Sequence, residues 1–417
     1  MQIHENKNQL LRKHADQIVA EAIAAVLPDA AVRRALEPLA FPGRIYPVAA
    51  GKAAWQMAKA ASECLGDRIE KGVVVTKYGH VSGPLVHFDC YEAGHPVPDE
   101  NSFRGTRAAL DLVANLSETD TVLFLLSGGG SALFEKPLIS GEELQDITNQ
   151  LLSCGAEITE INTIRKRLSA VKGGRFAEWC SPARVESVIL SDILGDPPDM
   201  IASGPACPDS STAEDARRIQ QKYSLKMSDD ALRLLDQETP KELHNVHTQI
   251  TGSVRELCAA AAASCRRLGY EPVVLTDCLC CEARDAGSFL ASILKTHAAD
   301  EKPLAFIAGG ETVVVLSGKG MGGRNQEIAL AAAPGIAGIS GAAVFSVGSD
   351  GTDGPTDAAG GYVDSDTFET LARLGMSADK ALQDNDAYHA LEKTGGLIVT
   401  GPTGTNVNDV AVALLLR

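Results

Sequence analysis

The sequence predicts an α/β protein of two domains, each a β-sheet flanked by helices, with a mainly parallel sheet in the first domain and a mixed one in the second. Three observations predict it. Short apolar runs alternate with amphipathic segments of helical period. Several of these runs end in loops dense in glycine and aspartate, as ligand-binding strand ends do in open α/β sheets. The 417 residues also exceed what one hydrophobic core comfortably serves. The expected division is a Rossmann-like N-terminal domain over residues 1–240 and a C-terminal α/β domain over residues 245–417, with the last strand either staying in the second sheet or returning to the first domain.

Hydrophobic residues make up 45% and charged residues 22%, the balance of a soluble globular chain. Aromatics at 5% offer little stacking surface for nucleic acid. A net charge of −16 opposes nucleic acid or an anionic membrane as partner, while leaving room for a small anion held by local lysines and arginines. Without a basic-apolar leader or an apolar run of about 18 residues, the chain reads as cytoplasmic and not membrane-bound. The ten cysteines read as reduced thiols. Cys278, Cys280 and Cys281 cluster, but C-x-C-C without a second ligand group is a weak zinc signal.

Residues 10–27 form an amphipathic helix by spacing. Residues 45–50 are an apolar strand, followed by Gly51-Lys52 and a strong helix-forming stretch, which places a lysine at a strand end where an anion can be held. Strands follow at 72–76, 121–127 and 185–191, separated by helices such as 102–115 and 142–154. The strand at 121–127 runs into Ser127-Gly128-Gly129-Gly130-Ser131. Three successive glycines are entropically costly unless backbone must approach something closely, which suggests an anion or nucleotide cradle. The strand at 185–191 ends in Ser191-Asp192, where an aspartate can serve as general base, bind magnesium or cap the next turn. Between them, Arg165, Lys166, Arg167, Lys172 and Arg175 form a basic island, read either as a phosphate or carboxylate site or as ion-pair partners for the acidic surface.

Residues 228–246 are polar and aperiodic and read as the linker, with His244 and His247 exposed. A second α/β series follows: helix 253–268, strand 272–276, helix 282–294, strand 303–308. Residues 311–317 (ETVVVLS) read as a further strand joined tightly through Gly309-Gly310. Gly318, Gly320 and Gly323 then satisfy G-x-G-x-x-G, formally a dinucleotide fingerprint. The match is out of place, because the loop comes late in the chain and opens a helix on Arg324-Asn325-Gln326. An apolar run at 342–347 ends in Ser349-Asp350-Gly351-Thr352-Asp353, with Asp357 beyond. Residues 397–400 are a strand ending in a loop with Asn406, Asn408 and Asp409, and an apolar run closes the chain.

The segments AAGKAAWQMAKA, AGHPVPDE, LLSGGGSAL, INTIRKRLSAVKGGR, LSDILGDPPDMIASGP, GGRNQEIALA, VGSDGTDGPTDAAGG and TGPTGTNVND, in this order, resemble the class II glycerate kinases, the family with a C-terminal MOFRL domain. The likeness runs from about residue 10 to the end. It implies ATP- and Mg2+-dependent transfer of a phosphoryl group to D-glycerate, giving 2-phosphoglycerate, in a cleft between two α/β domains. Members are also labelled hydroxypyruvate reductases, so an NAD(P)H-dependent reductase is the second reading and a non-catalytic small-anion binder the third.

Within the kinase reading, Lys52, Asp192 and Arg324 are the expected catalytic residues, with Lys52 and Arg324 facing one another. Ser191, Asn325, Thr352, Asp353 and Asn406 are expected to bind substrate. Gly128, Gly129, Gly130, Ser131, Gly322 and Gly323 are expected to cradle ATP, and Asp192, Asp350 and Asp353 are the candidate magnesium ligands. His95, the histidine of AGHPVPDE, reads as a loop residue held by Pro96 and Pro98. The oligomeric state stays open, a homodimer included.

Overall fold

The computed structural model describes the backbone of residues 2–417 and the side chains from residue 7 onward. The chain forms two compact units. One is Pro28–Thr251; the other joins the residues up to Leu27 to those from Gly252 to Arg417.

The first unit is built on a six-stranded sheet of β1 (Ile45–Ala50), β2 (Gly72–Lys77), β3 (Phe88–Ala93), β4 (Thr121–Leu126), β5 (Arg184–Leu190) and β6 (Val246–Gly252), in the order β3-β2-β1-β4-β5-β6. The pairs β1–β2, β2–β3, β1–β4 and β4–β5 are parallel. Central strands β1 and β4 are buried along their whole length, which is why IYPVAA and TVLFLL read as uninterrupted apolar runs. The winding reverses between β1 and β4, so the loops after these two strands open at the switch point of a doubly wound sheet, where such folds bind ligands.

The second unit carries β7 (Glu271–Leu279), β8 (Leu304–Gly310), β9 (Ala342–Gly348), β10 (Gly360–Asp364), β11 (Leu397–Ile398) and β12 (Asp409–Leu415), in the order β11-β10-β9-β12-β8-β7. Here β7–β8 is parallel, and β12 runs antiparallel to both of its neighbours, β8 and β9. The closing apolar run is thus the buried centre of the second sheet and does not return to the first.

The boundaries differ from the expected 1–240 and 245–417. The opening helix, Gln2–Ala25, packs on helix Val254–Arg267 of the second unit. Glu21 pairs with Arg267, His14 Nδ1 lies 2.8 Å from the Tyr270 hydroxyl, and Thr405 Oγ1 donates to the Val26 carbonyl at 2.9 Å. The expected linker is folded: it contains helix Asp229–Leu235, whose Ala231 and Leu235 are buried, and it leads directly into β6. His244 and His247 are both exposed, as expected, although His247 also pairs with buried Glu186 at 2.7 Å.

Residues 311–317 are not a strand. Both edges of β8 are already taken, by β7 and β12, so the segment leaves the sheet and only Glu311 and Val313 donate back, to the Leu279 and Cys281 carbonyls. The basic island lies inside the first unit. Lys166 pairs with Asp209 at 3.0 Å, Arg167 with Glu238 at 3.4 Å, and Arg175 donates to the carbonyls of Lys166, Arg167 and Ser169. The charges therefore brace the fold and do not line the surface. No helix among the described residues is long and apolar enough to cross a membrane. All ten cysteines are free, and among the described residues no group of His, Cys, Asp and Glu is arranged to hold a metal, Cys278, Cys280 and Cys281 included.

Candidate active site

In the first unit, the ends of β1 and β4 are tied together. Lys52 N–H donates to the Gly128 carbonyl at 2.9 Å, and Ala53 N–H to Ser127 Oγ at 3.1 Å. This register sets Lys52 beside the glycine loop. A β-carbon on Gly128 would lie 2.2 Å from Asp192 Oδ2, so the carboxylate at the end of β5 rests where only glycine leaves room. Gly129 has a left-handed φ of 86°, and a β-carbon there would lie 3.0 Å and 3.1 Å from His95 Cδ2 and Nε2 and 3.3 Å from Lys52 Cε. Two neighbouring glycines thus gather Asp192, His95 and Lys52. Gly130 is packed tightly from behind, against Ala202 and Leu126.

The loop is held from within. Arg165 Nη2 and Lys172 Nζ each donate to the Ser131 carbonyl at 2.9 Å, and fully buried Lys172 pairs with fully buried Glu135 at 3.2 Å. Burial pushes the Lys172 ammonium down to about 8, against the opposing pull of Glu135. Ser191, expected to bind substrate, is fully buried, and its Oγ is turned into its own loop, donating to the Ile193 carbonyl and accepting from Ile193 N–H.

The Lys52 ammonium has no hydrogen bond or ion pair among the described residues. Lys77 at the end of β2 is similarly unpaired, and His80 Nδ1 lies 2.8 Å from the Lys52 carbonyl. In a chain of net charge −16, this leaves a basic group beside the glycine loop open to an anion. Lys77 and His80 escaped the sequence reading, and His95 was read there only as a loop residue, because their nearness to Lys52 comes from parallel pairing of strands far apart in the chain.

In the second unit, Arg324 opens helix Arg324–Ile336. Its guanidinium meets Asp409 through Nε and, at 3.0 Å, through Nη2, while Nη1 meets Glu311 at 3.1 Å. Burial opposes its charge, but the Asp409 hydrogen bond and the Asp409 and Glu311 charges outweigh that and raise its proton affinity. Glu311 also accepts from Asn408 Nδ2 at 3.2 Å. Glu311 and Asp409 were not singled out as site residues. The detectable signal was an acid at the first residue of the terminal apolar run.

Asp353 is 3% exposed and caps the same helix: Oδ1 accepts from Asn325 N–H at 3.1 Å and Oδ2 from Gln326 N–H at 2.8 Å. A β-carbon on Gly323 would lie 2.3 Å from this carboxylate, which explains that glycine. Burial raises the Asp353 pKa to about 6, although the two backbone donors favour its charged form. Asp353 thus spends itself on the helix and is not turned outward to substrate or metal. Asn325 is buried as well, between Asp353 and the Ser346 hydroxyl. Gly322 packs beside Ala387. Exposed Thr352 donates its N–H to Asp350 Oδ1 at 3.0 Å, and exposed Asn406 accepts from Asn408 N–H at 3.4 Å.

The G-x-G-x-x-G match does not form a phosphate cradle. The N–H groups of Ser317 and Gly318 donate to Asn385 Oδ1, that of Lys319 to Asp384 Oδ1, that of Gly320 to the Asp384 carbonyl and that of Met321 to Asp386 Oδ1. β-Carbons on Gly318 and Gly320 would collide with residues 384–386. These two glycines serve close packing against that turn, which takes up the N–H groups of residues 317–321.

The chain matches a family model described as a domain of unknown function (DUF4147) over residues 14–236 and the MOFRL family model over residues 304–409. It is 54% identical to a D-glycerate 2-kinase of Thermotoga maritima, covering 97% of this chain and 99% of that one. The crystal structure of a glycerate kinase from Thermotoga maritima superposes with a TM-score of 0.93 at 54% identity, covering 98% of this chain and all of the other. A glycerate 2-kinase of Pyrococcus horikoshii is 41% identical, over 97% of each chain. A protein of Agrobacterium vitis described as a putative hydroxypyruvate reductase is 38% identical, over 98% of this chain and 94% of the other.

Proposed function

The chain belongs to the glycerate kinase family that carries a MOFRL domain, and from that premise we propose that it is a glycerate 2-kinase, transferring the γ-phosphoryl group of ATP to the 2-hydroxyl of D-glycerate. The observation that carries this reading is full-length similarity to two glycerate 2-kinases, joined to an unpaired lysine at the switch point of a doubly wound sheet. The geometry disfavours the reductase reading, because in the G-x-G-x-x-G segment the N–H groups of Gly318, Lys319, Gly320 and Met321 are occupied by residues 384–386.

Phosphoryl transfer asks a protein chiefly to position its substrates and to balance the charge on the phosphoryl oxygens. Lys52 supplies an uncommitted positive charge for that task. Asp192, held against Gly128, aids the acceptor hydroxyl, taking up its proton as the oxygen attacks phosphorus and the bond to the departing ADP breaks. Gly128 and Gly129 let the substrate approach the backbone closely. Arg324 carries two carboxylates of its own, so it acts as a braced donor, presenting the edge of the guanidinium that Asp409 and Glu311 leave over.

Magnesium fits this donor set only as an ion carried on nucleotide phosphates. Asp353 is engaged as a helix cap, whereas the Asp350 carboxylate accepts a single hydrogen bond among the described residues, from Thr352 N–H, and keeps Oδ2 for a cation. One or two carboxylates plus phosphate oxygens is the usual magnesium arrangement in such enzymes. The ion would neutralise charge on the phosphates.

The test is a two-armed assay on purified protein: D-glycerate with Mg-ATP, and hydroxypyruvate with NADH or NADPH. ADP release in the first arm alone is expected. Consumption of reduced cofactor in the second arm would establish the reductase, and silence in both the anion binder.

A further inference from the structure

His95, in the loop that follows β3, is half-buried, and neither ring nitrogen has a hydrogen-bond partner among the described residues. A histidine retained for structure usually spends a ring nitrogen on a neighbour. Five others in this chain do so: His14 with Tyr270, His80 with the Lys52 carbonyl, His247 with Glu186, His297 with Asp300 and His389 with Asp386. The flanking prolines hold the loop of His95 but give its imidazole nothing to bind.

The ring is nonetheless aimed. Its Cδ2–Nε2 edge and the terminal methylene of Lys52 both lie within 3.3 Å of the point where a Gly129 side chain would begin. The two side chains therefore front one small volume before the glycine loop. Asp192 borders that volume from the Gly128 side, and Lys77 and His80 reach it electrostatically from the end of β2.

We propose that His95 is a substrate-contacting residue, which donates a ring N–H, alongside the Lys52 ammonium, to one anionic oxygen group of the bound reactants. That group is either the carboxylate of the acceptor or the transferring phosphoryl group. Burial, then the charges of Lys52, Lys77 and His80, lower the imidazole's proton affinity. The ring accordingly stays neutral at pH 7 and carries a single N–H, with the other nitrogen an acceptor for a substrate hydroxyl. The inference rests on the kinase reading for its chemistry but not for its test.

Histidine ring resonances of the full-length protein, with the His95 signal assigned by its loss in His95→Gln, are followed by NMR during separate titrations with D-glycerate and with inorganic phosphate, without nucleotide or metal. The His95 signal is expected to move saturably with at least one of them while that of exposed His244 stays put. A response to D-glycerate identifies the carboxylate as the partner, and a response to phosphate the phosphoryl group. In steady-state kinetics, His95→Gln is expected to raise the KM of the corresponding substrate about tenfold or more, with a smaller change in kcat, as loss of a hydrogen bond to a charged group does. A His95 signal indifferent to both ligands, or both KM values unchanged in His95→Gln, overturns the proposal. A responsive ring in a protein that makes no phosphoglycerate would leave it standing and overturn the kinase reading instead.

Discussion

The carboxylate of Asp192 occupies the space in front of Gly128, so close that a β-carbon on Gly128 would lie 2.2 Å from Oδ2. Gly128→Ala must therefore displace Asp192 while leaving it in the sequence. If Asp192 aids the acceptor hydroxyl, kcat should fall about 100-fold, the usual effect of a misplacement near 1 Å. Stopped turnover assays together with a melting curve check this. A folded Gly128→Ala enzyme with near wild-type kcat would remove Asp192 from the chemistry.

Lys52 is the cation at the loop, and its ammonium has no hydrogen bond or ion pair among the described residues. Lys52→Met should lower kcat/KM by at least about 100-fold, in line with loss of a charged donor to a transition state. Stability should change little, because no ion pair is broken. Steady-state kinetics of the variant at saturating Mg-ATP measure the effect.

Asp353 caps helix Arg324–Ile336 through two backbone N–H groups. Asp353→Ala should cost about 1–2 kcal/mol of stability, the range for loss of an N-terminal cap. It should leave the magnesium concentration needed for half-maximal rate unchanged. Denaturant unfolding and a magnesium titration of activity separate the two roles. An unchanged unfolding midpoint with a raised magnesium requirement would make Asp353 a metal ligand after all.

Lys172 gives a pH prediction with a definite sign. Its folded-state value of about 8 lies below that of an exposed lysine, so the folded protein releases this proton first as pH rises. Between about pH 8 and pH 10 the unfolded chain holds more protons, and stability due to this group therefore increases with pH. Below pH 8 the buried charge is a constant cost. Relative to Lys172→Met, the wild type should gain on the order of 2–3 kcal/mol across that window. Unfolding free energies of both proteins at pH 7.5 and pH 10 check it, and parallel pH dependences would contradict it.

Much of this was legible in the sequence. The strands at 45–50, 121–127 and 342–347 were visible because they lie in sheet centres and are buried on both faces, so each is an unbroken apolar run. The half-exposed edge strand β3 and the glycine-led β10 carried no such run and were not seen. ETVVVLS had the β-branched composition of a strand but found no open sheet edge, a fact that only the topology supplies. Helical period revealed the opening helix but not the sheet it would cover. At the site, the loops were legible and the side-chain assignments less so. A buried aspartate that caps a helix and a less buried one whose carboxylate accepts from its own turn look alike in sequence, as Asp353 and Asp350 do. The basic island was visible as charge, yet its acids, Glu135, Asp209 and Glu238, lie too far along the chain to be matched with it by eye.

The central claim is that this protein phosphorylates the 2-hydroxyl of D-glycerate. Phosphorus NMR of the product formed from D-glycerate and Mg-ATP tests it most directly. The account predicts a phosphate ester coupled to the single proton on C2, the signature of 2-phosphoglycerate, appearing in step with ADP. A phosphate coupled to the two C3 protons, or ATP left intact while hydroxypyruvate is reduced by NADH or NADPH, would contradict it.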